Sequence, residues 1–410
     1  MDYYNSPRWS GEVADCSMPM TFDQYSNCAY KCLYCFSNYQ RGIGAGKENY
    51  FANEVKPISV SHIKKMFLEP DSTHFGEYIK RRMVMQWGGL SDPFCLFEQK
   101  YGVGLELLKF FREIDYPICF STKGTWWLDD ERHTELFRDN PNWNVKVTII
   151  TLNERFAKAI EKGAPSSGER LEAISKIAKL NCGGATLRFR PFMFGISNPR
   201  HRELVARAAD MGATAVSLEF FCLEQRSPEL RQNRLPIISD LVGFDYFEFY
   251  RKYSVLGGYL RLNRNIKRPF VDDIEDETHK HGMRFYVSDA HFKERCDNGS
   301  CCGLSSDWNY SRGQFCEALV ICKKDGMVSW CDISGKMEHL KSVVLHRALN
   351  LMTPKKGVRF IGFTLFDYMR WLWNNPKAGQ SPYTMFEGVM KPMGLDENGD
   401  LIYELDRARL

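Results

Sequence analysis

Cys28, Cys32 and Cys35 lie in the run Tyr25-Ser-Asn-Cys-Ala-Tyr-Lys-Cys-Leu-Tyr-Cys-Phe36. Thiolates at Cys-x3-Cys-x2-Cys spacing on one short loop can hold three corners of a cubane iron–sulfur cluster, whereas an electron-transfer cluster takes four cysteines. Three leave one iron without a protein ligand and open to a small molecule. A zinc site usually shows two separated Cys/His pairs, and no histidine lies in this loop. Tyr30, Tyr34, Phe36 and Tyr39 crowd the cysteines and suit the shielding of a cluster as well as a zinc knuckle.

The elements that must position these thiols follow from the apolar pattern. From the cysteine loop to about residue 222, short apolar runs alternate with longer amphipathic ones. Strands are predicted over Met83–Trp87, Ile118–Ser121, Val145–Thr151, Ala185–Arg190 and Ala215–Phe220. Helices are predicted over Gly102–Ile114, Asp129–Arg138, Gly168–Leu180 and Pro199–Met211. Leu171, Ile174, Ile177, Ala178 and Leu180 form a helical stripe. Regular β–α alternation means parallel strands with crossover helices, so the fold class is α/β. An incomplete or full β/α barrel fits, with chemistry at the C-terminal strand ends; periodicity alone also leaves room for a flat doubly wound sheet. Beyond it, Asp240–Tyr259 is aromatic and reads as helical. Arg284–Val287 reads as one more barrel strand, and Gly362–Trp373 as an amphipathic helix. Ala318–Cys322 and Met327–Cys331 read as a hairpin about Lys323-Lys-Asp-Gly326. The expected organisation is an N-terminal extension over 1–20, a barrel over 21–240 and a cysteine-rich extension over 241–410.

Composition narrows the setting. The chain has 410 residues, 44% of them apolar and 14% aromatic, with a net charge of +4. That charge permits an anionic partner without demanding one. The N-terminus lacks a charged head followed by an apolar run, and no stretch is apolar for long enough to span a bilayer. Fourteen cysteines without a secretion signal imply a reducing compartment in which thiols bind metals. A cytoplasmic protein with no membrane partner is the expectation.

Polar residues at the strand ends are the candidate binding groups. Gly88-Gly89 follows the strand ending at Trp87; paired glycines make a tight turn or let backbone approach a ligand. Ser121 ends another strand, Asn153 and Glu154 follow a third, and Arg170 opens a helix. Arg188 and Arg190 alternate on one strand and share a face. Charge on the inner face of a barrel needs an anion to explain it, and arginine suits bidentate carboxylate or phosphate contact.

Taken in order, the cysteine triplet with Tyr34, Gln86-Trp-Gly-Gly-Leu-Ser-Asp-Pro-Phe94, Thr148-Ile-Ile-Thr-Leu-Asn-Glu154, Ala164-Pro-Ser-Ser-Gly-Glu-Arg-Leu171 and Arg188-Phe-Arg-Pro191 resemble the spore photoproduct lyase-like branch of the radical S-adenosylmethionine (SAM) superfamily. The resemblance spans roughly residues 20–225. It implies a partial (β/α)6 barrel, a 4Fe–4S cluster on Cys28, Cys32 and Cys35, and SAM chelated at the open iron and split by one electron to a 5′-deoxyadenosyl radical. It further implies that Tyr34, Gly88, Gly89, Ser121, Asn153, Glu154, Arg170, Arg188 and Arg190 line the SAM site. An external one-electron reductant such as flavodoxin or ferredoxin, and a DNA substrate, follow from the same likeness. Members of the branch that repair a thymine dimer carry a hydrogen-donor cysteine where this chain has Gly89; Cys95 is the nearest thiol and the candidate catalytic residue. A rearrangement of a modified base would need no terminal donor.

Cys296, Cys301, Cys302, Cys316, Cys322 and Cys331 crowd a second region. Cys296, Cys301, Cys302 and Cys316 are the set expected to hold a second iron–sulfur cluster or a zinc ion, with Cys322 and Cys331 facing each other across the hairpin. Arg261–Arg268 is a basic run, which is a solvated face or a phosphate contact. Phe244–Tyr253, Trp308 and Tyr310 could stack an extruded base. The function expected is radical cleavage or rearrangement (lyase or isomerase chemistry) of a modified or damaged thymine-type base in DNA. The alternatives are a radical SAM peptide-modifying enzyme with an auxiliary cluster and a zinc-stabilised nucleic-acid-binding protein.

Overall fold

The computed structural model describes residues 7–10, 16–18, 20–37, 54–225, 227–255, 259–298, 300–304, 308–310, 315–345, 360 and 362–409; Tyr39 lies outside them. Its strands, in chain order, are β1 (Arg8–Trp9), β2 (Met20–Phe22), β3 (Met85–Trp87), β4 (Ile118–Thr122), β5 (Trp143–Thr148), β6 (Ala185–Phe192), β7 (Ala215–Phe220), β8 (Cys222–Glu224), β9 (Ser254–Val255), β10 (Tyr259–Leu262), β11 (Arg284–Val287), β12 (Met327–Val328), β13 (Met390–Leu395) and β14 (Leu401–Leu405). The main sheet has the order β1-β2-β3-β4-β5-β6-β7-β11. All neighbours in it are parallel except β1 with β2. It is an open, partial barrel with crossover helices on its outer face. Residues on both sides of the expected boundaries contribute to it, since β1 precedes residue 21 and β11 follows residue 240.

Alternation along each strand sorts the residues. Val145 and Val147 of β5, Leu187 and Phe189 of β6, and Val216 and Leu218 of β7 point outward into the apolar core beneath the helices. The residues between them point inward. Asn144 Nδ2 reaches Thr186 Oγ1 at 3.4 Å, Arg188 Nη1 reaches Thr148 Oγ1 at 3.4 Å, and Lys146 Nζ reaches Gln86 Oε1 at 2.6 Å. The inner face of a parallel sheet is normally apolar; here it is a polar, cationic lumen.

The outer helices carry the signals their sequences predict. Ser166 and Glu169 form a capping box at the start of Ser167–Lys179, which buries Leu171, Ile174 and Ile177. Two further regions differ from expectation. Residues Phe315–Asp325 form a helix rather than the first arm of a hairpin. A short apolar run reads either way, and Phe315, Ala318, Leu319 and Cys322 fall on one buried helical stripe. β12 pairs instead with β14, which removes the hairpin; Cys322 is buried on the helix and Cys331 is exposed. The aromatic stretch after Asp240 splits at Gly243 (φ +79°) into helices Leu235–Val242 and Tyr246–Tyr253.

One buried carboxylate ties the segment before the cysteine loop to the barrel wall. Glu98 accepts hydrogen bonds from Tyr25 Oη at 2.5 Å, Gly104 N at 2.8 Å and Leu105 N at 2.8 Å. Removing this acceptor takes a partner from two buried donors and one half-buried donor. Glu98→Ala is expected to lower unfolding free energy by about 3 kcal/mol, read from the urea midpoint at unchanged m value.

Candidate functional site

The cysteine loop leaves the C-terminal end of β2 and is held from two sides, by the segment after β3 and by the segment after β5. On the β3 side, Asp23 accepts from Leu90 N at 2.8 Å and Ser91 N at 2.7 Å, Gln24 Nε2 donates to Pro93 O at 2.7 Å, and Tyr30 Oη donates to Phe94 O at 3.2 Å. On the β5 side, Leu33 N donates to Ile160 O at 2.9 Å and Gly163 N donates to Tyr30 O at 3.3 Å. A Cβ on Gly163 would stand 2.8 Å from Ala29 O, so this approach needs glycine. Within the loop, Cys28 N donates to Asn27 Oδ1 at 2.7 Å and Cys35 N to Cys32 O at 3.1 Å.

Cys28, Cys32 and Cys35 pack against one apolar cluster with Tyr30, Tyr34, Ile150 and Cys95. Cys32 is buried, and Cys28 and Cys35 are half-buried. A hydrogen bond with Cys95, then burial, pushes the Cys28 thiol well up. Burial pushes Cys32 up too, against the pull of Lys123, and the Cys35 and Cys28 charges add to the rise. Such thiols become thiolates only when a strongly charged metal group replaces their protons. No three His, Cys, Asp or Glu side chains among the described residues are gathered tightly enough to hold a single ion. Three thiols on one loop are the donor type that iron–sulfur cages take. Cys95, expected as a radical quencher, is fully buried and stands beside Cys28 as a neighbouring sulfur.

Under the loop lies a buried ionic knot that sequence reading missed. Glu161 takes Arg170 Nη2 at 2.7 Å and Lys123 Nζ at 3.9 Å, and accepts a short hydrogen bond from Tyr34 Oη. Burial alone would raise the Glu161 carboxyl; Arg170 and Lys123 outweigh it and hold it below its ordinary value. Arg170 also donates to Thr148 O at 2.8 Å and Ser166 O at 3.3 Å. It is wholly buried and spent on these partners, which corrects its expected role as a ligand for the SAM carboxylate. The only sequence signal for Glu161 was its place at the end of the helix that follows Asn153-Glu154.

Asn153 and Glu154 are also structural. Asn153 caps the helix Glu154–Ile160 by accepting from Arg155 N at 3.1 Å and Phe156 N at 3.3 Å. Glu154 accepts from Ser167 N at 3.2 Å and Gly168 N at 3.0 Å, at the start of the next helix. Tyr34 is committed to Glu161, and Ser121 Oγ accepts from Gln86 Nε2 at 3.0 Å.

Gly88 and Gly89 form a tight turn at the end of β3 that packs closely on its neighbours. Gly88 has φ +93°, and a Cβ there would lie 2.5 Å from Ser121 O. Asp92 locks the same turn: Thr122 Oγ1 donates to it at 2.7 Å, Phe94 N at 3.0 Å and Lys123 N at 2.5 Å.

The lumen below carries Lys146, Arg188 and Arg190. Arg190 meets Glu219 at 3.3 Å. Arg188 and Arg190 each keep a buried Nε without a hydrogen-bond partner. Burial and the Arg190 charge push Arg188 below its ordinary value, as expected of cations crowded without enough anions. Lys146 escaped the sequence reading, although its place between outward Val145 and Val147 was the signal.

The second cysteine set does not assemble as expected. Cys301 and Cys302 are side by side, Sγ to Sγ 3.6 Å, in a small apolar cluster with Met18, Val84, Cys119, Leu304 and Tyr310. Cys316 is on the helix Phe315–Asp325 in the main core, and Cys296 Sγ donates to Val287 O at 3.2 Å. The helix takes Cys316 into a different apolar cluster. The candidate stacking aromatics are engaged in packing: Tyr246 and Tyr250 are buried together, Phe249 stacks on Phe194 at 4.7 Å, and Tyr310 is buried in the cluster with Cys301 and Cys302. In the basic run, Lys267 is buried against Asp289 at 2.7 Å, so the run is not one solvated face. No helix among the described residues is long and apolar enough to cross a membrane.

No protein-family model matches the sequence, and no curated protein matches it. Solved structures do. A tyrosine-to-phenylalanine mutant of spore photoproduct lyase covers 70% of this chain and 79% of its own, with TM-score 0.51 and 16% identity. A cysteine-to-serine mutant of the same enzyme covers 66% and 76%, with TM-score 0.49 and 16% identity. Streptococcus suis SuiB bound to its precursor peptide SuiA covers 68% and 51%, with TM-score 0.43 and 11% identity. The chain therefore has the fold of spore photoproduct lyase, and the resemblance read from its motifs is borne out at the level of the fold.

The Glu161 knot sets two expectations. Glu161→Gln and Arg170→Met each strand a buried charge or its partner and should cost about 3–5 kcal/mol, with the double variant recovering part of the loss in a double-mutant cycle. Because the folded carboxyl is held low, its contribution is complete above the unfolded value of about 4.3 and is lost as pH falls through the folded one. Stability measured by urea from pH 6 to pH 2 should therefore fall more steeply in the parent than in Glu161→Gln.

Proposed function

We propose that this chain is a radical SAM enzyme acting on a modified or damaged thymine-type base in DNA, by bond cleavage or rearrangement. The observation that carries the reading is the three-cysteine loop seated at the C-terminal mouth of a spore photoproduct lyase-like parallel sheet, over a cationic lumen. Cys28, Cys32 and Cys35 would hold a 4Fe–4S cluster, and the bare backbone at Gly88-Gly89 would face SAM. When bound, the cluster supplies the electron that splits a C–S bond of SAM and starts radical chemistry, with an external reductant of the flavodoxin or ferredoxin class.

The protein's own residues do the rest. Tyr30, Tyr34 and Ile150 wall the cysteine loop from water. The Glu161 knot fixes the loop's height above the strands. Arg188 and Arg190, with Lys146 deeper in, offer cations and unpartnered N–H groups to an anionic group of the substrate. A phosphodiester is an anion of that kind, which supports DNA over a neutral peptide segment. The alternative with an auxiliary cluster on all four cysteines would need Cys316 beside Cys301 and Cys302, whereas Cys316 packs in a different apolar cluster.

A second reading has one observation behind it. Cys95 beside Cys28 could complete a four-thiol, electron-transfer cluster with no open iron. Anaerobic reconstitution with iron and sulfide separates the two. About four irons and four sulfides per chain should bind the parent and Cys95→Ser alike, and be lost from the Cys28/Cys32/Cys35→Ala variant. Loss of the cluster in Cys95→Ser would favour the four-thiol reading. Reduced protein with SAM should release 5′-deoxyadenosine, and deuterium should pass into it from a deuterated DNA base. Transfer from peptide instead would overturn the DNA assignment. Lys146→Met and Arg190→Met should each weaken oligonucleotide binding by about tenfold, measured by fluorescence anisotropy at fixed salt.

A further inference from the structure

Cys301 and Cys302 are neighbours in sequence with sulfurs 3.6 Å apart, and both residues are more than nine-tenths buried at the floor of the lumen. Their backbone is clamped to the barrel wall. The Cys301 carbonyl accepts from Ser217 Oγ at 2.9 Å and also from Arg190 Nη2; the Cys302 carbonyl faces Cys119 Sγ at 3.6 Å. Gly303 (φ +74°) turns the chain so closely past β6 that a Cβ would lie 2.9 Å from Thr186 Oγ1. The two thiols are not equivalent. Cys301 is pushed up and Cys302 down to about 6, first by the hydrogen bond between them and then, for Cys302, by Lys146 and Arg190 against burial. At 3.6 Å either sulfur can donate its S–H to the other.

We propose that Cys301 and Cys302 form a reversible oxidation site for hydrogen peroxide, with Cys302 attacking and Cys301 resolving. The Cys302 sulfur takes one peroxide oxygen as the O–O bond breaks. The departing hydroxide takes up a proton and leaves as water, and Cys302 becomes a sulfenic acid. The Cys301 sulfur then attacks the Cys302 sulfur, the S–O bond breaks, and the oxygen leaves as a second water carrying the Cys301 proton. Two thiols are oxidised to a disulfide and one peroxide is reduced to two waters. A small oxidant suits so buried a pair, and lumen cations stabilise the attacking thiolate.

The consequence reaches the lumen. A disulfide has its sulfurs near 2.05 Å, so the pair must close by about 1.5 Å and the peptide joining them must turn. That peptide carries the carbonyl held by Arg190 and Ser217. Oxidation thus releases Arg190 from its backbone partner and alters the cationic lining above.

The test uses the reduced full chain with no cofactor added, so its outcome is independent of the radical SAM reading. After stoichiometric peroxide, alkylation and trypsin, the peptide Cys296–Arg312 should lose two hydrogens across Cys301–Cys302 while Cys296 is alkylated. The reaction should run about tenfold faster than oxidation of exposed Cys331 and reverse with dithiothreitol. Cys301→Ser should stop at a sulfenic acid trapped by dimedone, and Cys302→Ser should form neither product. A thermal midpoint within a few degrees of the parent's shows that both serine variants are folded. Full alkylation of Cys301 and Cys302 once Cys331 is oxidised, a disulfide to Cys296 instead, or stoichiometric metal bound at the pair in the purified chain would each overturn the proposal.

Discussion

The buried carboxylate of Glu161 is the constraint on which the candidate site rests. It closes the helix that follows β5, takes the charges of Arg170 and Lys123, and receives the hydroxyl of Tyr34 from inside the cysteine loop. Arg170 extends the same knot to the Thr148 carbonyl at the end of β5. One carboxylate thereby fixes the loop to two strands and two helices. An unpaired charge in this place would be costly, so its partners are bound to stay together. Tyr34 sits one residue before Cys35, so the knot anchors the loop beside its last sulfur.

Below that anchor the barrel spends its interior on polarity. Outward residues of β5, β6 and β7 supply the apolar core beneath the helices, which leaves the inward residues free to be Lys146, Arg188, Arg190 and Ser217. Their cationic excess is only partly met by Glu219 and by carbonyls. The floor is made by a segment distant in sequence, residues 300–304, whose carbonyls and thiols face these cations. The charge that would attract an anion at the mouth also tunes the sulfur pair at the floor, so lumen and floor are electrostatically one unit.

The Cys28 loop, the glycines after β3 and the β–α alternation were all legible in the sequence, because each is a short-range pattern. The helix stripe at Leu171, Ile174 and Ile177 was legible for the same reason. Other readings failed where a residue type was right and its partner was unknown. Arg170 was seen as a cation at a strand end, but Glu161 had already claimed it. Asn153 and Glu154 were seen as polar groups at a strand end, and both turned out to cap or brace helices. The apolar run Ala318–Cys322 fits a strand as well as a helix, and only packing of Phe315, Ala318, Leu319 and Cys322 on one face decided for the helix.

What the sequence determined by itself was local: three sulfurs on one loop, a parallel α/β alternation, and glycines where backbone must pass closely. Spacing of a few residues settles these, since ligand geometry, turn sterics and the strand and helix periods all act over that range. The tertiary structure decided which charges are free and which are spent, and which cysteines meet. The Cys301 carbonyl meets Arg190 and Ser217 across separations of 111 and 84 residues, and Cys316 is carried elsewhere by its helix. Such encounters depend on how the chain closes on itself, because burial and charge pairing act between atoms in space rather than between positions along the chain.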